Sequence, residues 1–411
     1  MSRLYNTFEF VGNLYLNDDK FLEVKESDSG WVGKRLNFAV QESKNNSVFI
    51  EYYGGYSKSK ANVVFTFGKS TEYEKGEKLE IPWEDRKKQE TIEMVADFKK
   101  FIVDFTTQQE VKEKAAKLRY EIRSIEYKDE ITDSDKVKLS KLKKELETLS
   151  VNRKEFIHEL DAVEYLAENL NTYKKHKFRL TGNIEINEWN GKFYRKFKPT
   201  LIEIVEDDTP NQLRGTMDIF FIKGCIDDKD FEDEKKVFID GYIIDYDNNA
   251  KKDVFYPQQF ILNAQKLDFE NELHVKRFNF IKNKFDVKNK KSVYHLQWVV
   301  SFFRGADVVE FTYDDLTSQQ KESVDIGLAK VEDFKPKGQV LGESVEENRL
   351  IKPLLQIVND QNDFRDGVVE SSYEPEDLDY VAVERKEKKE EVTEKSSETI
   401  KPDADFDDLF S

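Results

Sequence analysis

In the stretch "WNGKFYRKFKPT" (Trp189 to Thr200), Lys192, Arg195, Lys196 and Lys198 interleave with Trp189, Phe193, Tyr194 and Phe197. In an extended strand, successive side chains point to opposite faces. Phe193, Arg195 and Phe197 then share one face, and Tyr194, Lys196 and Lys198 the other. Rings beside cations suit a single-stranded nucleic acid: bases stack on aromatic faces and phosphates meet Lys or Arg. A looser set of the same kind lies near the start of the chain: Trp31, Lys34, Arg35, Tyr52, Tyr53, Tyr56, Lys58, Lys60 and Lys69. Phe38, Phe49, Phe65 and Phe67 alternate with polar neighbours, as inward-facing residues do, and are expected in a core. Tyr53, Tyr56, Trp189 and Tyr194 carry a polar handle that tolerates exposure. A third basic run, Lys276 to Lys291, reads equally as a phosphate track or as a solvated helix face.

Catalytic patterns are missing from the sequence. His158, His176, His274 and His295 are scattered, and none stands at metal-ligand spacing to another or to Cys225. No phosphate loop, nucleophile elbow or dinucleotide fingerprint occurs. The pairs Asp207-Asp208, Asp227-Asp228 and Asp314-Asp315 have the chemistry to hold Mg²⁺, but they sit where turns favour Asp for local backbone hydrogen bonds. Neither a cofactor nor a metal is expected, and the chain reads as a non-enzyme.

The chain has 411 residues, 36% charged and 38% hydrophobic, with 31 Phe, 18 Tyr and 4 Trp. That is enough apolar matter for two or three cores with rings to spare for recognition. One cysteine excludes an intrachain disulfide and suits a reducing compartment. No signal-peptide-like run and no long apolar segment is present, so a cytoplasmic location without a membrane span is expected. The net charge is −17, of which −9 falls on residues 370–411, with 15 acidic and 6 basic side chains. The remaining body is mildly acidic, which still permits a locally basic groove.

These residues need elements to position them. "FEFVGNLYLN" (Phe8 to Asn17) recurs 170 residues later as "FRLTGNIEIN" (Phe178 to Asn187). Both alternate as half-buried strands do, with a glycine placed for a bulge or bend. They read as the first strands of two copies of one β-module, each with five short strands forming a small antiparallel barrel. A helix over about Gln89 to Phe105 is expected to close the first copy. Between the copies, Leu118, Ile122 and Ile125, then Leu139, Leu142, Leu146 and Leu149, and later Leu160, Val163, Leu166 and Leu170 keep helical spacings. "DEITDSD" breaks the pattern and supplies caps. A helical hairpin or antiparallel coiled coil follows. "ENELHVKRFNFIKNKF" and "LTSQQKESVDIGLAKVEDF" read as helices, with a β-hairpin turning near Arg304-Gly305 between them. The charged run "ERKEKKEEVTEKSSET" is expected to be disordered.

The expected fold is mainly β with an α insertion (α+β). It comprises barrel 1 with its closing helix (1–106), the helical hairpin (107–172), barrel 2 (173–265), an α/β extension packing on barrel 2 (266–365) and a disordered acidic tail (366–411).

With these motifs the chain resembles the single-stranded DNA-binding proteins built on oligonucleotide-binding (OB) barrels, of the bacterial and bacteriophage replication type. "VGNLYLNDDKF" is similar to that family's first strand, and "LNFAVQESKNNSVFIEYYGG" to its next two. "DADFDDLFS" is similar to its acidic, Phe-bearing tail, although Leu409 stands where the family has proline and Ser411 follows Phe410. Size and duplication resemble a large phage-encoded relative. The resemblance implies two OB-like barrels that coat single-stranded DNA in replication, recombination and repair, in the host cytoplasm if phage-encoded. It implies DNA contacts from Trp31, Lys34, Arg35, Tyr53, Tyr56, Lys58, Trp189, Lys192, Phe193, Tyr194, Arg195, Lys196 and Lys198. It also implies a tip (Asp403, Asp405, Phe406, Asp407, Asp408, Leu409, Phe410) that recruits replication or recombination proteins, Phe serving as anchor. Oligomeric state is left open. A structural or interaction protein that uses the barrels as scaffolds, and less so a Mg²⁺-dependent DNA-processing enzyme, stand as alternatives.

Overall fold

The computed structural model describes residues 6–16, 21–189, 192–247, 251–309, 312–335, 340–354, 356–358, 361–363 and 368–379. Strand is the main state, at 43% of the chain, and seven α-helices occur among the described residues.

The first part contains β1 (Thr7–Leu16), β2 (Leu22–Glu26), β3 (Trp31–Ser43), β4 (Asn46–Ser57), β5 (Val63–Phe67), β6 (Lys78–Pro82), α1 (Gln89–Met94) and β7 (Phe101–Asp104). It continues with α2 (Gln109–Glu126), α3 (Asp133–Glu147), β8 (Arg153–Phe156), α4 (Glu159–Tyr173), β9 (Lys177–Trp189) and β10 (Lys192–Val205). The second part contains β11 (Gln212–Phe221), β12 (Ile226–Asp227), α5 (Phe231–Glu234), β13 (Lys236–Asp247), β14 (Lys252–Asn263), α6 (Glu272–Asn283) and β15 (Tyr294–Val309). It ends with α7 (Ser318–Asp325), β16 (Val340–Pro353), the β17 (Gln356–Val358) and β18 (Gln361–Asp363) pair, and β19 (Val369–Glu370).

The two copies of the repeat do not open two separate modules. They are β1 and β9, and they pair with each other antiparallel, Phe8 opposite Gly182, Phe10 opposite Leu180 and Gly12 opposite Phe178. Equivalent residues exchange places, so a local two-fold axis runs between Phe10 and Leu180. Each glycine serves a close approach: a Cβ on Gly12 would overlap the Gln41 carbonyl, and one on Gly182 the Lys198 carbonyl. Gly12 is also where one edge of β1 changes partner, from β11 (residues 7–11) to β3 (residues 13–16).

Two strand sets share one connectivity. In the first, β1 pairs with β3, β3 with β4, β1 with β9, and β9 with β10, all antiparallel. It follows that β4 and β10 run in the same direction. They lie side by side with no ladder between them among the described residues. In the second, β11 pairs with β13, β13 with β14, β14 with β16 in parallel, β16 with β15, and β15 with β11, which closes a circuit. Each set has a helix between its third and fourth strands. α4 lies over β4 so closely that a Cβ on Gly54 would overlap the Leu160 backbone. α6 buries Phe278 and Ile281. One apolar core runs through both sets, from Phe8 and Phe10 to Phe302 and Leu350. The division at residues 106 and 173 read from the sequence cuts across the first set, because β9 and β10 complete the sheet that β1, β3 and β4 begin.

Other differences have local causes. α1 stops after six residues, and the β-branched Ile102-Val103 run joins the parallel edge of β10 as β7. Leu160, Val163, Leu166 and Leu170 are buried on α4 in the main core and not in the hairpin. The hairpin is α2 with α3, sealed by Leu118, Ile122, Ile125 and Leu142, and Thr132 caps α3 in a capping box with Asp135. β15 passes straight through Arg304-Gly305 instead of turning. Gly305 lies opposite Asn46 of β4, where a Cβ would overlap the Asn45 carbonyl, so this glycine joins the two strand sets. α7 ends early, with Gly327 in the left-handed region at φ 74°. Phe65, expected in the core, is 73% exposed on the two-stranded β5–β6 ribbon, while Phe38 is buried. Residues 368–379, expected to be disordered, are docked: Tyr373 donates to Asp253 Oδ2 at 2.9 Å, and Leu378 is buried against Ile244 and Phe255. The rest of the expected disordered tail lies outside the described residues.

Candidate nucleic-acid interface

Trp31 and Tyr53 project from the outer face of the β3–β4 ladder, where Gly33 stands opposite Gly55 and Arg35 opposite Tyr53. Each ring leans diagonally onto the glycine of the other strand. A Cβ on Gly33 would come within 2.6 Å of the Tyr53 hydroxyl, and one on Gly55 within 2.7 Å of the Trp31 ring. Missing Cβ atoms therefore let both rings lie down on the backbone. Trp31 Nε1 donates to the Tyr53 hydroxyl at 2.6 Å and fixes the pair. Trp31 remains 42% and Tyr53 45% exposed, so the pair offers ring surface to solvent.

Arg35 lies directly across from Tyr53 and reaches Glu51 at 3.5 Å. Lys196 of β10 reaches the other Glu51 oxygen at 3.7 Å. Glu51 thus spans the unladdered seam between β4 and β10, and it brings Lys196 to the Trp31, Tyr53 and Arg35 group. Tyr194, 43% exposed, lies on the same face of β10 as Lys196. Of the residues singled out in the sequence, these five form one strip.

The others have different surroundings. Arg195 and Phe197 face inward: Phe197 is buried among Phe8, Phe10 and Phe302, and the Arg195 guanidinium stacks 4.6 Å from the Phe302 ring centre. Arg195 donates to Asn348 Oδ1 and, at 2.9 Å, to Glu346. Burial lowers its pKa, against the pull of Glu346. Phe193 packs edge-on to Tyr256 at 5.3 Å. These three tie β10 to the second strand set. Lys34 turns to α4 and meets Glu164 at 2.8 Å. Lys198 meets Glu159 at 2.8 Å and Glu185 at 3.7 Å. Burial works to lower the Lys198 pKa, but these carboxylates prevail and raise it. Tyr56 stacks on Trp83 at 6.2 Å, and Lys58 pairs with Glu26 at 2.5 Å. Trp189 and Lys192 flank the β9–β10 turn as a facing pair, with side chains outside the described residues. The tip residues Asp403, Asp405, Phe406, Asp407, Asp408, Leu409 and Phe410 also lie outside them.

Sequence reading missed Gly33, Gly55 and Glu51. A signal for the first two was present: Trp31-x-Gly33 and Tyr53-x-Gly55 are both ring-x-Gly, and antiparallel pairing lays each ring on the other glycine. Of the acidic pairs, Asp207 and Asp208 lie in an exposed turn, and Asp228 accepts from Lys282. Among the described residues no three His, Cys, Asp or Glu side chains converge as metal ligands do.

No known family model matches the chain, and no curated protein matches it. Among solved structures, it is similar to a deletion mutant of the single-stranded DNA binding protein from Thermus aquaticus, at 10% identity over 74% of this chain and 89% of that one, with a TM-score of 0.23. A likeness of that size carries no weight for the fold or function of this chain. No helix among the described residues is long and apolar enough to cross a membrane.

Proposed function

We propose that the chain is a non-enzymatic single-stranded DNA-binding protein. The observation that carries this reading is the Trp31–Tyr53 pair, laid flat on Gly55 and Gly33 beside Arg35 and Lys196. A solvent-facing ring platform next to cations is what a base and its phosphate require. Surface ion pairs such as Arg35–Glu51 and Lys196–Glu51 are worth only about 0–1 kcal/mol, so exchanging Glu51 for phosphate costs little. Both strand sets are read as OB-like barrels, 7–205 with the hairpin inserted and 212–353. The support is their shared connectivity, with a helix between third and fourth strands and strands three and five running the same way. On that fold, oligonucleotides lie across strands two and three and the loop joining strands four and five. Here those are β3, β4 and the Trp189 to Lys192 turn.

We further read the function as coating single strands in replication, recombination and repair, with the acidic tip recruiting partner proteins and the work done in the cytoplasm. Titrating labelled poly-dT at two salt concentrations tests the reading. Binding should be tight, weaker at high salt and indifferent to base sequence. Trp31→Ala and Tyr53→Ala should each weaken it about tenfold, in line with ~1–3 kcal/mol per stacked base. Wild-type binding that neither variant changes would remove this face from the site. No binding to any single strand would end the reading.

A further inference from the structure

Between the helical hairpin, the α1 turn, the β7–β8 edge and α4 lies a cleft of about 1250 Å³. Most of its charges are consumed in holding the hairpin to the body. Lys69 and Lys143 both meet Glu126 at 2.9 Å, Lys100 meets Glu155 at 2.9 Å, and Arg123 reaches Asp97 at 3.6 Å. Arg119 of α2 is the exception: it is half-buried, yet makes no hydrogen bond or ion pair among the described residues. It lines both this cleft and a smaller recess of about 220 Å³, as does Arg153, so the two guanidiniums stand where the cavities meet. The acids nearest to them are already engaged. Glu155 accepts from Arg153 at 3.1 Å and from Lys100, and Asp104 takes the Thr106 N–H at 3.0 Å and lies 4.0 Å from Arg153. Burial and the neighbouring Arg153 charge both lower the Arg119 pKa, so its charge stands uncompensated. Lys154, exposed on the cleft wall, likewise has no partner among the described residues.

Two rings also line the cleft with most of their surface open, Tyr120 at 74% and Phe98 at 70% exposed. The mouth adjoins the candidate face. Glu164 on the rim holds Lys34 of β3 and Lys87, and Arg86 on the rim stacks 3.7 Å from the Trp83 ring centre, with Tyr56 stacked on Trp83 in turn. Rings and cations therefore continue from Trp31 and Tyr53, past Tyr56, Trp83 and Arg86, to Tyr120 and Arg119.

We propose that this cleft is a second contact for the same single-stranded nucleic acid, with Arg119 and Lys154 taking backbone phosphates and Tyr120 and Phe98 offering faces to bases. It rests on the reading of the β3–β4 face given above. An unpaired guanidinium held beside a like charge is a natural partner for an added anion. Open rings at its side favour a phosphate that carries bases.

The test compares oligo-dT of about 8 nucleotides, the span of one barrel face, with one of about 30 nucleotides, long enough to continue into the cleft. In the full chain, Arg119→Glu with Lys154→Glu should leave the short oligonucleotide bound as in the wild type. It should weaken the long one about tenfold at low salt and reduce its salt slope by about one, near the ~0.7 expected per phosphate contact on a single strand. Arg119→Gln should show a smaller loss in the same direction, and it serves if the double charge reversal fails to fold. Long oligo-dT carrying iododeoxyuridine should photo-crosslink to Tyr120, and the short one should not. Equal affinity of wild type and variants for the long oligonucleotide, or crosslinks that avoid the hairpin, would overturn the inference and leave the β3–β4 face standing. Equal losses for both lengths would also overturn it, because the effect would then reach the first face. Failure of the wild type to bind either length would remove both.

Discussion

Glu51 holds two cations of the candidate face at once, and so acts as an internal competitor for phosphate. Glu51→Gln should raise affinity for poly-dT several-fold at low salt, with the gain shrinking as salt screens the freed charges. The melting temperature should hardly move, since such surface pairs contribute about 0–1 kcal/mol. Unchanged affinity would show that Arg35 and Lys196 do not meet phosphate. Gly33 carries a steric prediction. Gly33→Val should push the Tyr53 ring off the strand and weaken binding about as much as losing the ring does, with near-wild-type circular dichroism. Cys225 is buried, its thiol donates to the Phe285 carbonyl at 3.5 Å, and burial pushes its pKa up to about 12. It should resist a thiol reagent near pH 8 in the native protein and react fully once unfolded; rapid native labelling would contradict this packing. At this scale the sequence was half informative. The exposed members, Trp31, Tyr53, Tyr194, Lys196 and Arg35, were legible from residue type. Arg195 and Phe197 were not, because the strand face that looked like a recognition surface meets β15 and β16, a pairing set by residues some 150 positions away.

α4 and the hairpin are neighbours in sequence with opposite roles. Both showed leucines at helical spacing, and spacing cannot tell which partner a face will meet. The hairpin buries its own seam, whereas Leu160, Val163, Leu166 and Leu170 fill the main core. Leu166→Ala should therefore cost about 2–5 kcal/mol of global stability. Replacing residues 108–151 with a short Gly/Ser linker should leave the body folded, whereas extending the replacement to residue 166 should not. A folded product from the longer deletion would refute the placement of α4. Its N-terminus carries a pH prediction. His158 Nδ1 accepts the Leu160 N–H at 3.2 Å, and burial lowers the imidazole pKa against the pull of Glu159 and Asp161. Below about pH 6.5, the ordinary value, the unfolded chain takes the proton before the folded one. The stability from this cap is therefore complete above that pH and lost as the pH falls through the lower folded value. His158→Asn keeps an acceptor without the titration, so it should flatten the fall in melting temperature between about pH 7 and pH 5. An unchanged fall would assign it to the carboxylates.

The whole molecule is tied together by its first strand. β1 is flanked by β9 on one edge and by β11 and β3 on the other, so a fragment of residues 1–106 lacks two of the three partners. It should show no cooperative melting transition, and a sharp one would restore the division read from the sequence. The repeat was visible in the sequence, but its meaning was not: similarity reports like environments, and two strands that lie against each other across a two-fold axis share an environment as fully as two separate modules do. This pairing also has a consequence in time. During synthesis at about 5–20 residues per second, Phe8, Phe10 and Val11 leave the ribosome roughly 10–40 s before Gly215 arrives to complete their sheet. For that interval an apolar strand waits with an open edge, the condition under which strands pair with the wrong chain. Crowded translation of this protein therefore depends on holding that one strand apart until its distant partners are made. Yield should accordingly suffer first from anything that slows elongation between residues 60 and 215.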